Sequence, residues 1–204
     1  MKMTGISISM LADVLSLCGI PTESAKEIYE NIKQKRSEEA LASLFSEIRQ
    51  GNFSNVDKSE FVGIIARYQR DALEGTAKNN LKLMAKLIVG LNDKNQLTLS
   101  NFQKFSRILA DLTNDEIQFL ADIYRTIQKY PREDRKNIVS HVRGIDRVHI
   151  LYSLLRTGFF IPHIPEGGGF AISSNIPDYT TSPLLEELFS CYSWQDIAMW
   201  HGEW

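Results

Sequence analysis

The sequence predicts a mainly α-helical protein with one small β-hairpin near its C-terminus. Three observations carry that reading. Apolar residues recur at three- and four-residue steps along most of the chain up to Leu155. Two of the apolar stretches open on a Thr or Asp followed three residues later by Glu, the pattern of a reciprocal cap. After Gly158 the pattern changes to short aromatic and branched runs on either side of Pro165-Glu166-Gly167-Gly168-Gly169.

Taken in order, Ser9 caps a first helix that stops at Gly19, with Pro21 preventing continuation. Thr22 opens a second stretch in which Ala25, Ile28, Ile32, Ala40, Leu41, Leu44, Phe45 and Ile48 recur at helical steps. It reads either as one helix to Gln50 or as two joined at Ser37, where Glu38 and Glu39 would suit a first turn. Asp57-Lys58-Ser59-Glu60 then heads a stripe from Phe61 through Tyr68, Leu73, Leu81 and Met84 to Leu91, about 50 Å long if unbroken. Gly75 marks a kink or a close crossing within it. The segment from Ala72 to Leu81 is small and polar, and an Asn facing inward there needs a partner. Asn92-Asp93-Lys94-Asn95 reads as a loop, and Ser100 as the cap of a helix carrying Phe102, Phe105, Ile108 and Leu109.

Thr113-Asn114-Asp115-Glu116 is the strongest capping box in the chain and starts a helix through Ile117, Leu120, Ala121 and Tyr124. Pro131 interrupts, a short helix covers 134–142, and a further one carries Val148 to Leu155 and ends at Gly158. The hairpin pairs 159–164 with 170–174, its first strand placed at an edge because Pro162 has no amide hydrogen to donate. Ser182-Pro183 starts a last helix that buries Leu184, Leu185, Leu188 and Phe189, followed by an aromatic tail with Trp194, Trp200 and Trp204.

The order helix, helix, helix, hairpin, helix from Leu112 to Tyr192, with Arg156-Thr157-Gly158-Phe159-Phe160 leading out of the third helix, resembles a winged-helix arrangement. Together with the phrase Glu74-Gly75-Thr76-Ala77-Lys78-Asn79-Asn80-Leu81, it is similar to bacterial proteins of unassigned activity that join a helical N-terminal region to such a unit, some of them associated with phage and defence loci. The resemblance implies a helical region over 1–112 and a winged-helix-like unit with an aromatic tail over 113–204. It brings no catalytic motif.

The 204 residues are 43% apolar and 24% charged, with a formal charge of −2, an ordinary globular composition that excludes a polybasic coat. Cys18 and Cys191 have no pair spacing and fit a reducing compartment. No run is long and apolar enough for a membrane span, and no signal-peptide pattern is present, so a cytoplasmic protein is expected.

For chemistry, Gly167-Gly168-Gly169 precedes a strand pattern rather than a helix with Lys-Ser/Thr, so it reads as a wing tip and not a phosphate loop. His141, His149, His163 and His201 lack metal-ligand spacing, although His141 and His149 could converge near Asp146. No nucleophile elbow is present, and Ser190-Cys191 has no neighbouring base. No catalytic residue, cofactor or metal is assigned.

Charge is distributed unevenly. From Arg125 to Arg147 seven basic residues face three acidic ones, whereas after Arg147 only Arg156 is basic against six acidic residues. That polarity suits a solvated helix face, an acidic tail packed on basic helices, or phosphate contacts by Arg132, Arg135, Lys136, Arg143 and Arg147. The tail tryptophans Trp194, Trp200 and Trp204 either fold back on the C-terminal unit or anchor a partner. Three functional readings follow: first a non-enzymatic regulatory or interaction protein that self-associates through its long helices, then a nucleic-acid-binding winged-helix regulator, then an enzyme with an unrecognised site.

Overall fold

The computed structural model describes residues 22–49, 51–54, 56–129, 147–162, 179–195 and 197. Among these, seven helices and one antiparallel two-stranded sheet make the mainly α fold that the periodicity predicts. The expected helix from Ser9 to Gly19, the helical turns over 134–142 and the strand over 170–174 lie outside the described residues.

Helix α1 (Thr22–Ile48) is a single helix. Ser37 does not cap a second one, and its hydroxyl accepts from Gln69 Nε2 at 3.0 Å. Helix α2 (Lys58–Leu73) begins on Asp57, whose carboxylate accepts from the amides of Ser59 at 2.8 Å and Glu60 at 3.0 Å. The box is only half formed. Glu60 reaches away instead, accepting from the amide of Leu99 at the head of the helix α4 (Leu99–Ala110), so one carboxylate ties two helix starts together.

The long stripe is broken, not kinked. α2 stops at Leu73 and helix α3 (Lys78–Asp93) begins after a turn in which Gly75 has φ +99°. Gly75 N–H donates to Ala72 O at 3.2 Å and Thr76 N–H to Asp71 O at 3.1 Å, the paired bonds of a Schellman stop. A left-handed residue there turns the chain back, so α2 and α3 pack as an antiparallel pair. The same device ends α3 at Asp93, two residues into the segment expected as a loop from Asn92. Asn95, at φ 55°, donates to Asn92 O at 2.8 Å and Gln96 N–H to Leu91 O at 2.8 Å. Thr98, not Ser100, caps α4, its hydroxyl accepting from Asn101 N–H at 3.2 Å.

Helix α5 (Asn114–Lys129) has the full reciprocal box. Thr113 N–H donates to Glu116 Oε2 at 2.8 Å and Glu116 N–H to Thr113 Oγ1 at 3.3 Å. Helix α6 (Val148–Leu154) closes in a 3₁₀ turn (Leu155–Thr157) and stops at Gly158 with φ +73°. Strand β1 (Phe160–Pro162) then pairs with β2 (Tyr179–Thr181), Phe160 opposite Thr181 and Pro162 opposite Tyr179. The partner strand is thus later in the chain than the one expected at 170–174. Ser182 caps helix α7 (Pro183–Cys191) with Pro183 in its first turn, as the sequence predicts.

One buried cluster runs from Ala40 to Ile197 and crosses position 112 without interruption. Phe102, Phe105 and Leu109 of α4 fill it from one side and Ile117, Leu120 and Ile123 of α5 from another. Edge-to-face ring pairs join α5 to the elements after it, Phe119 to Phe160 at 6.2 Å and Tyr124 to Phe189 at 5.2 Å. The closest approach is between α3 and α7. A methyl group added to Gly90 would lie 1.8 Å from the carbonyl oxygen of Cys191, so only glycine admits this crossing. No helix among the described residues is long and apolar enough to cross a membrane.

Candidate functional site

Helices α1, α2 and α3 form the face with the most distinctive surface chemistry. α1 and α2 run antiparallel: Ser37 meets Gln69, and the carbonyl of Ala40 accepts from the buried Tyr68 hydroxyl at 3.2 Å. That register brings Phe45, one turn before the end of α1, level with Val62, one turn into α2. Their exposures are 62% and 66%, and both stand beside the linker that joins the two helices. Ile32, further back on α1, is 46% exposed. Phe45 and Ile32 belong to the apolar stripe read from the sequence, yet among the described α1 residues only Ala40 and Leu44 are buried hydrophobics. The rest of the stripe spirals around the helix instead of following one face.

Across α1 lies α3, running parallel to it. Arg36 sits over Gly75, its Nη1 3.1 Å from where a Cβ would be, and Lys86 Nζ lies 3.7 Å from Glu47 Oε2, the same offset along both helices. Glu39, Ser43 and Glu47 therefore stand level with Lys78, Lys82 and Lys86 on successive turns, a polar ladder whose last rung, Glu47 with Lys86, is an ion pair. Two open clefts lie along the surface of this seam, one of about 220 Å³ between Arg36, Ala40, Gly75 and Leu81 and one of about 490 Å³ between Ala42, Ser46, Lys82 and Lys86, with Glu39, Ser43 and Lys78 shared by both.

Elsewhere Glu116, Asp71 and Asn80 have structural partners, whereas the buried atoms Asn80 Oδ1, Ser106 Oγ, Tyr192 Oη and Trp194 Nε1 have none among the described residues. Glu116 is buried between α5 and α6 and accepts from Thr113 N–H, Ser153 Oγ and both terminal nitrogens of Arg156, with Nη2 at 2.9 Å. Burial raises its pKa, but the hydrogen bonds from Arg156, Ser153 and Thr113 outweigh this and hold it down at about 2. Arg156 also donates to the carbonyl of Asp111 at 3.0 Å, closing the end of α4. Asp71, buried in the last turn of α2, pairs with Arg67 at 3.0 Å, and its carboxyl is pushed upward by burial despite that partner. Asn80 is the inward-facing Asn anticipated from the 72–81 segment. Its amide nitrogen donates to the carbonyls of Leu109 at 2.7 Å, Ala110 at 3.2 Å and Leu112 at 2.8 Å, which are oxygens left over at the end of α4.

Of the basic residues considered for phosphate contact, Arg132, Arg135, Lys136 and Arg143 lie outside the described residues. Arg147 stands at the head of α6 and pairs with Asp122, which also holds Arg125, so two cations of this stretch share one carboxylate. Among the described residues, Glu187 of the acidic C-terminal helix pairs with Lys104 of α4 at 2.6 Å. Trp194 is fully buried, stacked on Tyr192 at 5.3 Å and edge-on to Phe189 at 5.4 Å, while Trp200 and Trp204 lie outside the described residues. Trp194 and the buried Ile197 fold back on the C-terminal helix, as one of the two sequence readings has it. Cys191 is buried, and burial pushes its thiol pKa up, away from the thiolate a nucleophile needs. Among the described residues no group of three or more His, Cys, Asp or Glu is placed to hold a metal ion.

Sequence reasoning missed the ladder and the exposure of Phe45 and Val62. The four-residue spacing of Lys78, Lys82 and Lys86 is visible in the sequence, but the glutamates opposite depend on the turn at Gly75, which sets how α3 lies against α1. Comparison with models of protein families, with curated proteins and with solved structures found no match for this chain.

Proposed function

We propose that the chain is a non-enzymatic interaction protein that associates with itself through the face made by α1 and α2. The observation that carries this is the pair Phe45 and Val62, two large apolar side chains more than half exposed at one level of adjacent helices. A single exposed apolar residue is ordinary, whereas a cluster flanked by polar residues is the usual mark of an interface. Ala66, one turn beyond Val62 on α2, is exposed with it.

Sedimentation velocity across a wide concentration range tests the proposal. The native chain is expected to shift from monomer to dimer as concentration rises. Phe45→Asp with Val62→Asp should weaken that association about tenfold or more, the loss of one modest apolar hot spot. Because both side chains are exposed, the melting temperature of the monomer should stay nearly unchanged. A native chain that remains monomeric at the highest concentration would overturn the proposal.

A further inference from the structure

We infer that two copies of the chain pair through antiparallel contact of their α1 helices, about a two-fold axis that passes level with Ser43 and Leu44. The inference rests on the self-association proposed above and deepens it, naming the helix that makes the contact and its direction.

Four exposed residues make a strip along α1: Glu38, Ala42, Phe45 and Arg49. Arg49 follows the last residue of α1, but its amide still donates to Phe45 O at 3.1 Å, so it continues the helical spiral. At 3.6 residues per turn the four fall within about 60° of one another, on the side of α1 away from the buried Ala40 and Leu44. Their spacing of four, three and four residues is that of a seam between two helices.

The strip complements itself only when reversed. A second copy turned about that axis sets its Ala42 against Phe45, a small side chain under a large one, and its Arg49 against Glu38. The two-fold makes each contact twice. A parallel copy would instead set Glu38 level with Glu38 and Arg49 level with Arg49, like charges that oppose pairing. Neither charge is neutralised by an ion pair within its own chain among the described residues: Glu38 accepts from the neutral Gln34 Nε2 at 2.9 Å, and Arg49 meets no carboxylate. Val62, level with Phe45, borders the seam from α2. The apolar side chains supply attraction, and the charges fix direction. α1 keeps all of its contacts with α2 and α3.

The experiment compares four full-length chains by sedimentation velocity: native, Glu38→Arg, Arg49→Glu and the chain carrying both. Each single substitution sets like charges together twice in the dimer and should raise its dissociation constant about tenfold. The double substitution restores opposite charges and should return the constant to about the native value. Within one chain the two positions are eleven residues apart. That is about 16 Å along a helix, beyond the reach of a screened surface charge, so recovery reports contact between copies. An effect of overall charge would differ, because one substitution makes the chain more basic and the other more acidic, moving the two singles in opposite directions. Unchanged melting temperatures at low concentration show that all three variants fold. If the native chain dimerises and the singles leave its dissociation constant unchanged, or the double fails to restore it, the antiparallel contact is wrong and self-association through the α1 and α2 face stands. A native chain that stays monomeric overturns that reading and this contact with it.

Discussion

Glu116 draws four hydrogen bonds onto one buried carboxylate. It completes the capping box of α5, receives Arg156 from the turn after α6 and Ser153 from α6 itself, and is buried while doing so. Its carboxyl is held at about 2, against about 4.3 for an unfolded glutamate, so the unfolded chain binds the proton first as pH falls. The stability this group contributes is fully present above about pH 5 and is lost as pH drops toward 2. A shift of that size corresponds to roughly 3 kcal/mol. Urea titrations from pH 7 to pH 3 should show this loss in the native chain. Glu116→Gln should be less stable at pH 7 and should flatten the acid limb, and an unchanged limb would assign the acid sensitivity to other carboxylates. Asn80 acts at the same scale without charge. Asn80→Ala leaves the carbonyls of Leu109, Ala110 and Leu112 without their donor in a buried site and should cost about 1–3 kcal/mol by denaturant unfolding, at every pH.

At the scale of the element, starts were more legible than stops. Thr113 with Glu116 and Ser182 with Pro183 are local signals, and the structure uses both as the sequence suggests. Asp57 with Glu60 has the same local form, but Glu60 is drawn to Leu99, a partner far along the chain that spacing does not disclose. The apolar stripe through Gly75 has the right period for one helix, because α2 and α3 each bury the same kind of face. What divides them is a backbone angle, and a sequence shows only that glycine permits it. The exposed pair at Phe45 and Val62 was hidden for a related reason: apolar residues on α1 occur at helical spacing all around the helix, so periodicity does not select the buried side. Gly75→Ala tests the division of the helices. At φ +99° a side chain is strained, and the added methyl would also press on Arg36 Nη1 at 3.1 Å. A cost of about 1–2 kcal/mol is expected in thermal unfolding, with helix content by circular dichroism unchanged. A gain in helix content would instead mean that α2 and α3 had fused through the turn.

For the whole molecule, the decisive question is what holds the helices before position 112 to those after it. Part of the answer is polar: Lys104 with Glu187 at the surface, and Arg156 reaching the carbonyl of Asp111. Exposed ion pairs contribute little, about 0–1 kcal/mol each, so they do not decide the assembly. The backbone crossing of α3 and α7 is of another order. At Gly90 the two chains approach so closely that a Cβ would overlap the Cys191 carbonyl, at 1.8 Å from its oxygen and 2.5 Å from its carbon. That contact brings Leu185, Leu188 and Phe189 of α7 into the same cluster as Leu87 and Leu91 of α3. Gly90→Ala must therefore move a helix, not a side chain. The expected cost is about 3 kcal/mol or more, against the roughly 1 kcal/mol that a helix interior normally gains when alanine replaces glycine. Gly63→Ala is the control, because its methyl would meet only the flexible end of Leu99 at 3.3 Å and should be nearly neutral. In thermal melts the Gly90→Ala chain should unfold about 6–12 °C below the native one. If both substitutions are neutral, the crossing of α3 and α7 is not what joins the two halves, and the cohesion lies in the α4 and α5 layer around Phe102, Phe105 and Leu120.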